Sequence, residues 1–380
     1  MEPEKQTTSP PAPPAPPTED TSEVSVTPEP TSLDKAHAPY HGLRWIFIGP
    51  EGLRAAWSVV VFLIVAVLVE VAVGAIFYRL HLVSKKVQFT VPAAIFQELL
   101  MVLGILAGAA VVALIRKHSI LDFNLKGPRR IQHFFSGLAA GFVAFSLLVG
   151  ILELGGWLTF GPVALSGAAI FRFGALWGCS FLLVGCAEEG MMRCFLLSTL
   201  TRSLNFWWAL GTLAVLFAIY AGFAKGNGIW GAAAIGLLGL GPCLWLHLKR
   251  APGSGFWQAA WVTSTIFGLV HTSNNGENWI GIFQAAAIGF VFCVSVRVTG
   301  SAWWAIGCHA AWDWSETYFY GAIDSGFVAT GHFLSTTPAG KVLWSGGTDG
   351  PEGSLLAMVA IVLLLLFLVV AYGRSRTALS

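Results

Sequence analysis

The chain has 380 residues, of which 55% are apolar and only 11% charged, against a usual charged share of about 25%. A mean hydropathy of +0.70 and a load of 16 Trp and 27 Phe exclude a soluble enzyme, a disordered hub and a coiled coil. The 22 Lys+Arg nearly balance the 20 Asp+Glu, and no basic patch interleaved with aromatics occurs, so no nucleic acid partner is expected. The apolar runs are continuous rather than alternating, which argues against a membrane β-barrel. What remains is an all-α chain, a polytopic transmembrane helical bundle of about 8–10 spans in a lipid bilayer.

Residues 1–40 stand apart from this pattern. They hold ten of the 18 prolines and seven acids against two lysines, too little apolar surface to offset the entropy of ordering, so a disordered Pro-rich tail is expected. The tail has neither a basic start nor an early apolar stretch, so it does not read as a signal peptide. Residues 41–380 read as one multi-pass membrane domain. Ten apolar stretches of spanning length follow one another: 55–79, 92–115, 132–154, 171–198, 206–224, 229–248, 257–273, 279–298, 302–320 and 354–372. Gly residues interrupt the fifth and sixth, which can also be read as one re-entrant pair. Lys and Arg concentrate in the loop 116–130, at Lys249 and Arg250, and at Arg374 and Arg376, which places both termini in the cytoplasm; Lys85 and Lys86 dissent. Cys179, Cys186, Cys194, Cys243, Cys293 and Cys308 all lie in apolar segments without Cys-x-x-Cys spacing and read as packing residues.

An ionisable side chain at a helix centre costs roughly 2.5–3.5 kcal/mol on insertion scales, so such residues usually have a function. Three groups stand out. The fourth stretch carries Glu188-Glu189-Gly190-Met191-Met192-Arg193, in which Glu189 and Arg193 share a helix face at i and i+4 and can pair. Glu188 points about 100° away, free to act as a general base. Phe267-Gly268-Leu269-Val270-His271 ends the seventh stretch. His309-Ala310-Ala311-Trp312-Asp313 puts a His and an Asp on one face of the ninth, a spacing that suits a shared water, a metal, or contact with each other. Each group alone has a plain structural reading: an ion pair gluing helices, a core histidine, a local His–Asp hydrogen bond. Together, a carboxylate and two histidines on three spans form an inventory that can activate water and stabilise an oxyanion.

The ordered trio Glu-Glu-x-x-x-Arg, Phe-x-x-x-His and His-x-x-x-Asp resembles the CAAX prenyl protease and bacteriocin-processing family of intramembrane endopeptidases, over residues 171–320. The stretch Gly346 to Ser354 is also similar to bacterial members, which points to a bacterial plasma membrane. The resemblance implies hydrolysis of a peptide bond in a membrane-associated peptide or protein substrate, with Glu188, Glu189, Arg193, His271, His309 and Asp313 as the catalytic set. It implies that the glutamate and His271 activate water, and that the last helix stabilises the oxyanion or helps hold a metal. A divalent metal, zinc, would engage His271 and His309 if one is bound. Two features depart from the family pattern: residues 206–248 insert about two extra spans, and Asp313 stands where Asn is common. An ionised Asp is a poorer donor and a better metal ligand than Asn.

Alternatives remain open at this level. Glu70, Glu98, Glu153, Glu188 and Glu189 can be strung into a proton or cation path, as in a transporter, although no inverted repeat is visible. A non-catalytic membrane scaffold using the same polar cluster is the third class. No His-Glu-x-x-His, rhomboid-type Gly-x-Ser-Gly or presenilin-type Gly-x-Gly-Asp motif is present. Counting ~1.5 Å of rise per residue puts Glu188 and His309 in the cytoplasmic half but His271 farther out.

Overall fold

The computed structural model describes residues 44–49, 52–80, 90–223, 228–274 and 276–373. The Pro-rich segment 1–40 and the dissenting Lys85 and Lys86 lie outside the described residues.

All ten apolar stretches are helical: α1 Ala55–Arg79, α2 Val91–Arg116, α3 Arg130–Leu154, α4 Ala168–Thr201, α5 Phe206–Phe223, α6 Gly228–Leu248, α7 Ser254–Val270, α8 Trp279–Thr299, α9 Trp303–Asp313 and α10 Ala357–Tyr372. Five of them, α1 to α4 and α8, are long and apolar enough by themselves to cross a bilayer. In hydrocarbon every backbone polar group must be satisfied internally, which is why runs of this composition form helices. The outward faces are apolar: α1 exposes Val67, Leu68 and Val71, and α10 exposes Val370. These are lipid-facing surfaces, and the chain is an integral membrane protein. From the inserted segment, α5 and α6 pack on each other and on α7.

Helix ends follow local chemistry. Thr90 precedes α2 with Pro92 in the first turn, where a missing N–H is no loss. The Asn278 side chain caps α8 by accepting from Ile280 N at 2.8 Å, and Gly300 ends it in the left-handed conformation. Two helices are locally underwound. α4 contains a π-helical turn, Gly190–Leu196, that begins directly after Glu189, and α9 continues as a π-helical turn over Trp314–Phe319. Such turns re-aim side chains and are frequent at functional sites.

The central helix is α9, which runs between α3 and α4 at backbone-contact distance. Gly137 and Gly141 on α3 lie against the carbonyls of Trp304 and Cys308, and Gly307 on α9 lies against the carbonyl of Phe134. On the other flank, a side chain at Gly185 of α4 would stand 2.9 Å from the carbonyl of Ile306. This is the small-residue solution to helix packing in lipid, where close van der Waals contact replaces the hydrophobic drive. Trp304, Phe145 and Leu148 fill the layer behind it.

At one end of the bundle, loops fold into a cap. Strand β3 (Leu158–Phe160) pairs antiparallel with β4 (Thr336–Pro338), with Thr159 opposite Thr337, and so ties the α3–α4 loop to the long α9–α10 loop. Another hairpin, β1 (Ile48–Gly49) and β2 (Gly52–Leu53), precedes α1. Within the cap, Glu277 and Asp349 meet over Gly281, and Glu352 accepts from Trp312 Nε1. Burial pushes the Glu277 carboxyl up to about 8, with the Asp349 and Glu352 carboxylates adding to the shift. Asp349 and Glu352 are each raised to about 7, again chiefly by burial.

Two outcomes are expected. Gly141→Ala puts a methyl group into the Cys308 carbonyl, whereas Gly150→Ala, on the same helix, meets nothing within 4 Å. The first should cost about 3 kcal/mol or more and lower the unfolding temperature in detergent, and the second should be near neutral. For the cap, carboxyls whose folded pKa is raised contribute stability that is full below their unfolded values and is lost as pH rises through about 7 to 8. Thermal unfolding should therefore occur at a lower temperature at about pH 9 than at about pH 5, and Glu277→Gln should flatten that slope.

Candidate active site

The site begins with a buried ion pair. Glu189 and Arg193 are both 0% exposed; Arg193 Nη1 donates to Glu189 Oε1 at 3.2 Å, and Nε lies 3.2 Å from Oε2. The guanidinium sits 4.4 Å from the ring centre of Phe267 and 5.4 Å from that of Phe292, so two aromatic faces cover the cation. Gly289 on α8 leaves room for it, since a side chain there would meet Nη2. Asn124 Nδ2 donates to the Arg193 carbonyl at 2.7 Å, closing the π-helical turn from outside the helix.

His309 is the next member. Its Nδ1–H donates to Glu189 Oε1 at 2.9 Å, and its ring lies against Phe292 and edge-on to Phe267. A carboxylate only accepts, so Glu189 fixes both the orientation of the ring and the proton on Nδ1. The opposite nitrogen, Nε2, faces Asp313 Oδ2 at 3.5 Å and Glu188 Oε2 at 3.8 Å. Glu188 is 27% exposed and His309 11%, in contrast to the sealed pair behind them.

His271 follows the last turn of α7, where its Nδ1–H donates to the Phe267 carbonyl at 2.7 Å. That bond leaves Nε2 as an acceptor. The Phe of the Phe-x-x-x-His motif thus has two uses: its ring packs on Arg193 and its carbonyl orients His271.

Glu188, His271, His309 and Asp313 line one cavity of about 1180 Å³. Glu189 and Arg193 sit behind its wall. The depth offset expected for His271 is absorbed because the cavity extends from Glu188 to the loop level, where Asp324 and Glu352 also line it. Its other walls are mainly apolar, with Phe77 and Phe96 from α1 and α2 and Phe181 and Val184 from α4.

Further polar residues in the cavity include Glu98, Gln284, Asp324 and Glu352. Glu98 is visible in the sequence only as one carboxylate of a possible ion path. Of that path, Glu98 and Glu188 share the cavity, Glu153 is exposed at the end of α3, and Glu70 lies beside Gly104. Gln284 and Asp324 carry no motif. Glu352 falls in the Gly346 to Ser354 stretch, whose glycines signal only a turn-rich loop.

Among the described residues no group of three or more His, Cys, Asp or Glu side chains is arranged to hold a metal ion. His309 and His271 each commit Nδ1 to a protein acceptor. That leaves Nε2 of each ring as the nitrogen a metal would take, and no step below is routed through a metal. All six cysteines are free thiols, none in a disulfide.

Comparison with known proteins gives one match. Residues 241–315, which contain His271, His309 and Asp313, match the family model for Type II CAAX prenyl endopeptidase Rce1-like proteins. No curated protein and no solved structure matches the chain. The Glu-Glu-x-x-x-Arg motif lies ahead of that segment, and the match over residues 241–315 supports the chain's similarity to the CAAX-type intramembrane endopeptidases.

Proposed function

We propose that the chain hydrolyses a peptide bond of a membrane-associated substrate with a water activated by Glu188. The observation that carries this reading is the placement of His309, held on Nδ1 by a neutralised, buried Glu189 and presenting Nε2 beside Glu188 in a cavity that also holds His271.

Roles follow from donor and acceptor capacity. Glu188 and His271 Nε2 are both acceptors and can each take one hydrogen of a water between them. Glu188 removes a proton as the water oxygen attacks the carbonyl carbon, and the carbonyl oxygen becomes an oxyanion. His309 lies between carboxylates on both ring nitrogens and so acts with an N–H on each side. One N–H is held by Glu189 and the other is presented to the oxyanion. The tetrahedral intermediate collapses, the C–N bond breaks, and Glu188 returns its proton to the leaving amine. Asp313, facing Nε2, is a positioning residue that keeps the second N–H directed. Arg193 neutralises Glu189 and lets it stay in a water-free layer. The same reading takes cytoplasmic ends from the Lys and Arg distribution and a bacterial plasma membrane from the Gly346 to Ser354 stretch.

Variants separate the roles. Glu188→Gln should lower kcat/KM by about 10²–10⁴-fold while folded yield and unfolding temperature stay near wild type. Arg193→Ala strands a buried carboxylate, at about 3–5 kcal/mol, and should lower folded yield as well as rate. Equal loss of folding in both variants would reduce the cluster to a structural one. Elemental analysis of the purified, active protein is expected to show no stoichiometric metal. Zinc that disappears in both His271→Ala and His309→Ala would overturn the metal-free roles given to those rings.

A further inference from the structure

The charge lining the cavity is one-sided. Five carboxyl side chains, Glu98, Glu188, Asp313, Asp324 and Glu352, face it, against two imidazoles and, among the described residues, no Lys or Arg. Arg193 does not redress this, being fully buried on Glu189. The chemistry above uses Glu188 and Asp313 with His309, which leaves Asp324 and Glu352 on the loop side of His271. Asp324 accepts from Thr317 Oγ1 at 2.6 Å and Glu352 from Trp312 Nε1, so both carboxyls are held in place at the cavity wall.

A second feature points the same way and is independent of charge. Gln284 of α8 lines the same wall and is 3% exposed. Its Nε2 donates to the Ser354 carbonyl at 2.6 Å, so the amide is fixed, and its Oε1 is buried with no hydrogen-bond partner. A buried acceptor left without a donor is costly, and a site that retains one is shaped for a ligand that brings an N–H. Apart from Asn274 and Ser325, the loop-side wall is therefore built of acceptors, while the opposite walls are aromatic and aliphatic except for Thr90, Gln97 and Glu98.

We infer that the loop-side wall formed by Asp324, Glu352 and Gln284 is a specificity pocket for a lysine or arginine side chain of an otherwise apolar substrate segment, placed on one side of the scissile bond. The catalytic consequence rests on the peptidase reading; the binding preference does not. A cationic side chain satisfies the wall twice over, by supplying N–H donors to Gln284 Oε1 and by neutralising carboxylates in a poorly solvated site. The apolar wall takes the flanking residues. An anionic group at the same place faces Asp324 and Glu352, with no Lys or Arg among the described lining residues to pair with. The substrate class is thus a membrane segment or leader with a basic residue near the cleavage point.

The test uses the full chain in lipid nanodiscs. The probes are leucine-rich membrane peptides of about 20 residues, with a single Lys, Gln or Glu moved through successive positions. Affinity is measured on the Glu188→Gln protein and cleavage on the wild type. At one or a few adjacent positions, Lys should bind at least about tenfold tighter than Gln, which is ~1.4 kcal/mol, with Glu weakest. Glu352→Gln, which keeps an acceptor for Trp312 Nε1, should bring the Lys-to-Gln ratio close to one and leave the affinity for the Gln peptide unchanged. Gln284→Leu, which alters no charge, should also lower that ratio. Selective binding without cleavage by the wild type supports the pocket and removes the peptidase reading. Cleavage of Lys, Gln and Glu peptides at equal rates and affinities overturns the pocket and leaves the peptidase intact. Tighter binding of the Glu peptide, binding of none of the peptides, or a Lys preference that survives both variants also overturns it.

Discussion

One buried ion pair sets the rest of the site. Removing Glu189 and Arg193 from water is expensive, and their mutual attraction offsets that cost only with further partners. The fold supplies them: two phenylalanine rings over the guanidinium, a glycine at 289 that leaves space, and the imidazole of His309 on the carboxylate. The pair in turn decides which way His309 faces. Because Glu189 takes Nδ1, the other nitrogen can only look into the cavity, toward Glu188 and Asp313. A structural ion pair and the histidine proposed for catalysis are in this way one construction, built at the start of a π-helical turn that sits where α4 passes α9.

The second constraint is the closeness of three helices. Gly137, Gly141 and Gly307 bring the backbones of α3 and α9 into contact, and Gly185 does the same for α4 and α9. Rigid crossings of this kind hold a ring to the tolerance that hydrogen-bond catalysis needs. Glu188, by contrast, lies at the exposed edge of the same turn of helix, where a water and a substrate can reach it. Adjacent glutamates thus hold opposite environments, one sealed and one open, because a helix turns by about 100° between them.

Much of this was legible in the chain itself. The ten helices follow from runs of apolar residues whose length matches a bilayer, and their ends agree with the described helices within a few residues. The i and i+4 spacing of Glu189 and Arg193 contained their pairing, since helix geometry alone brings such side chains together. The contact between Glu189 and His309 was not readable, because it joins residues 120 positions apart and depends on how α4 crosses α9. The polar residues of the loop-side wall were hidden for a similar reason. Gln284 and Asp324 stand alone among apolar or turn residues, and only the folding of the cap over α8 brings them beside His271. The π-helical turns have no signature in composition at all.

The central claim is that this polar cluster directs a water onto a peptide bond. It is tested most directly by single-turnover cleavage of a membrane peptide by the purified chain in nanodiscs, carried out in ¹⁸O-labelled water and read by mass spectrometry. Cleavage should leave one labelled oxygen in the new carboxyl terminus, with no covalent peptide–enzyme adduct when the reaction is stopped early. A trapped acyl-enzyme, or intact peptides from a folded protein that binds them, would contradict it.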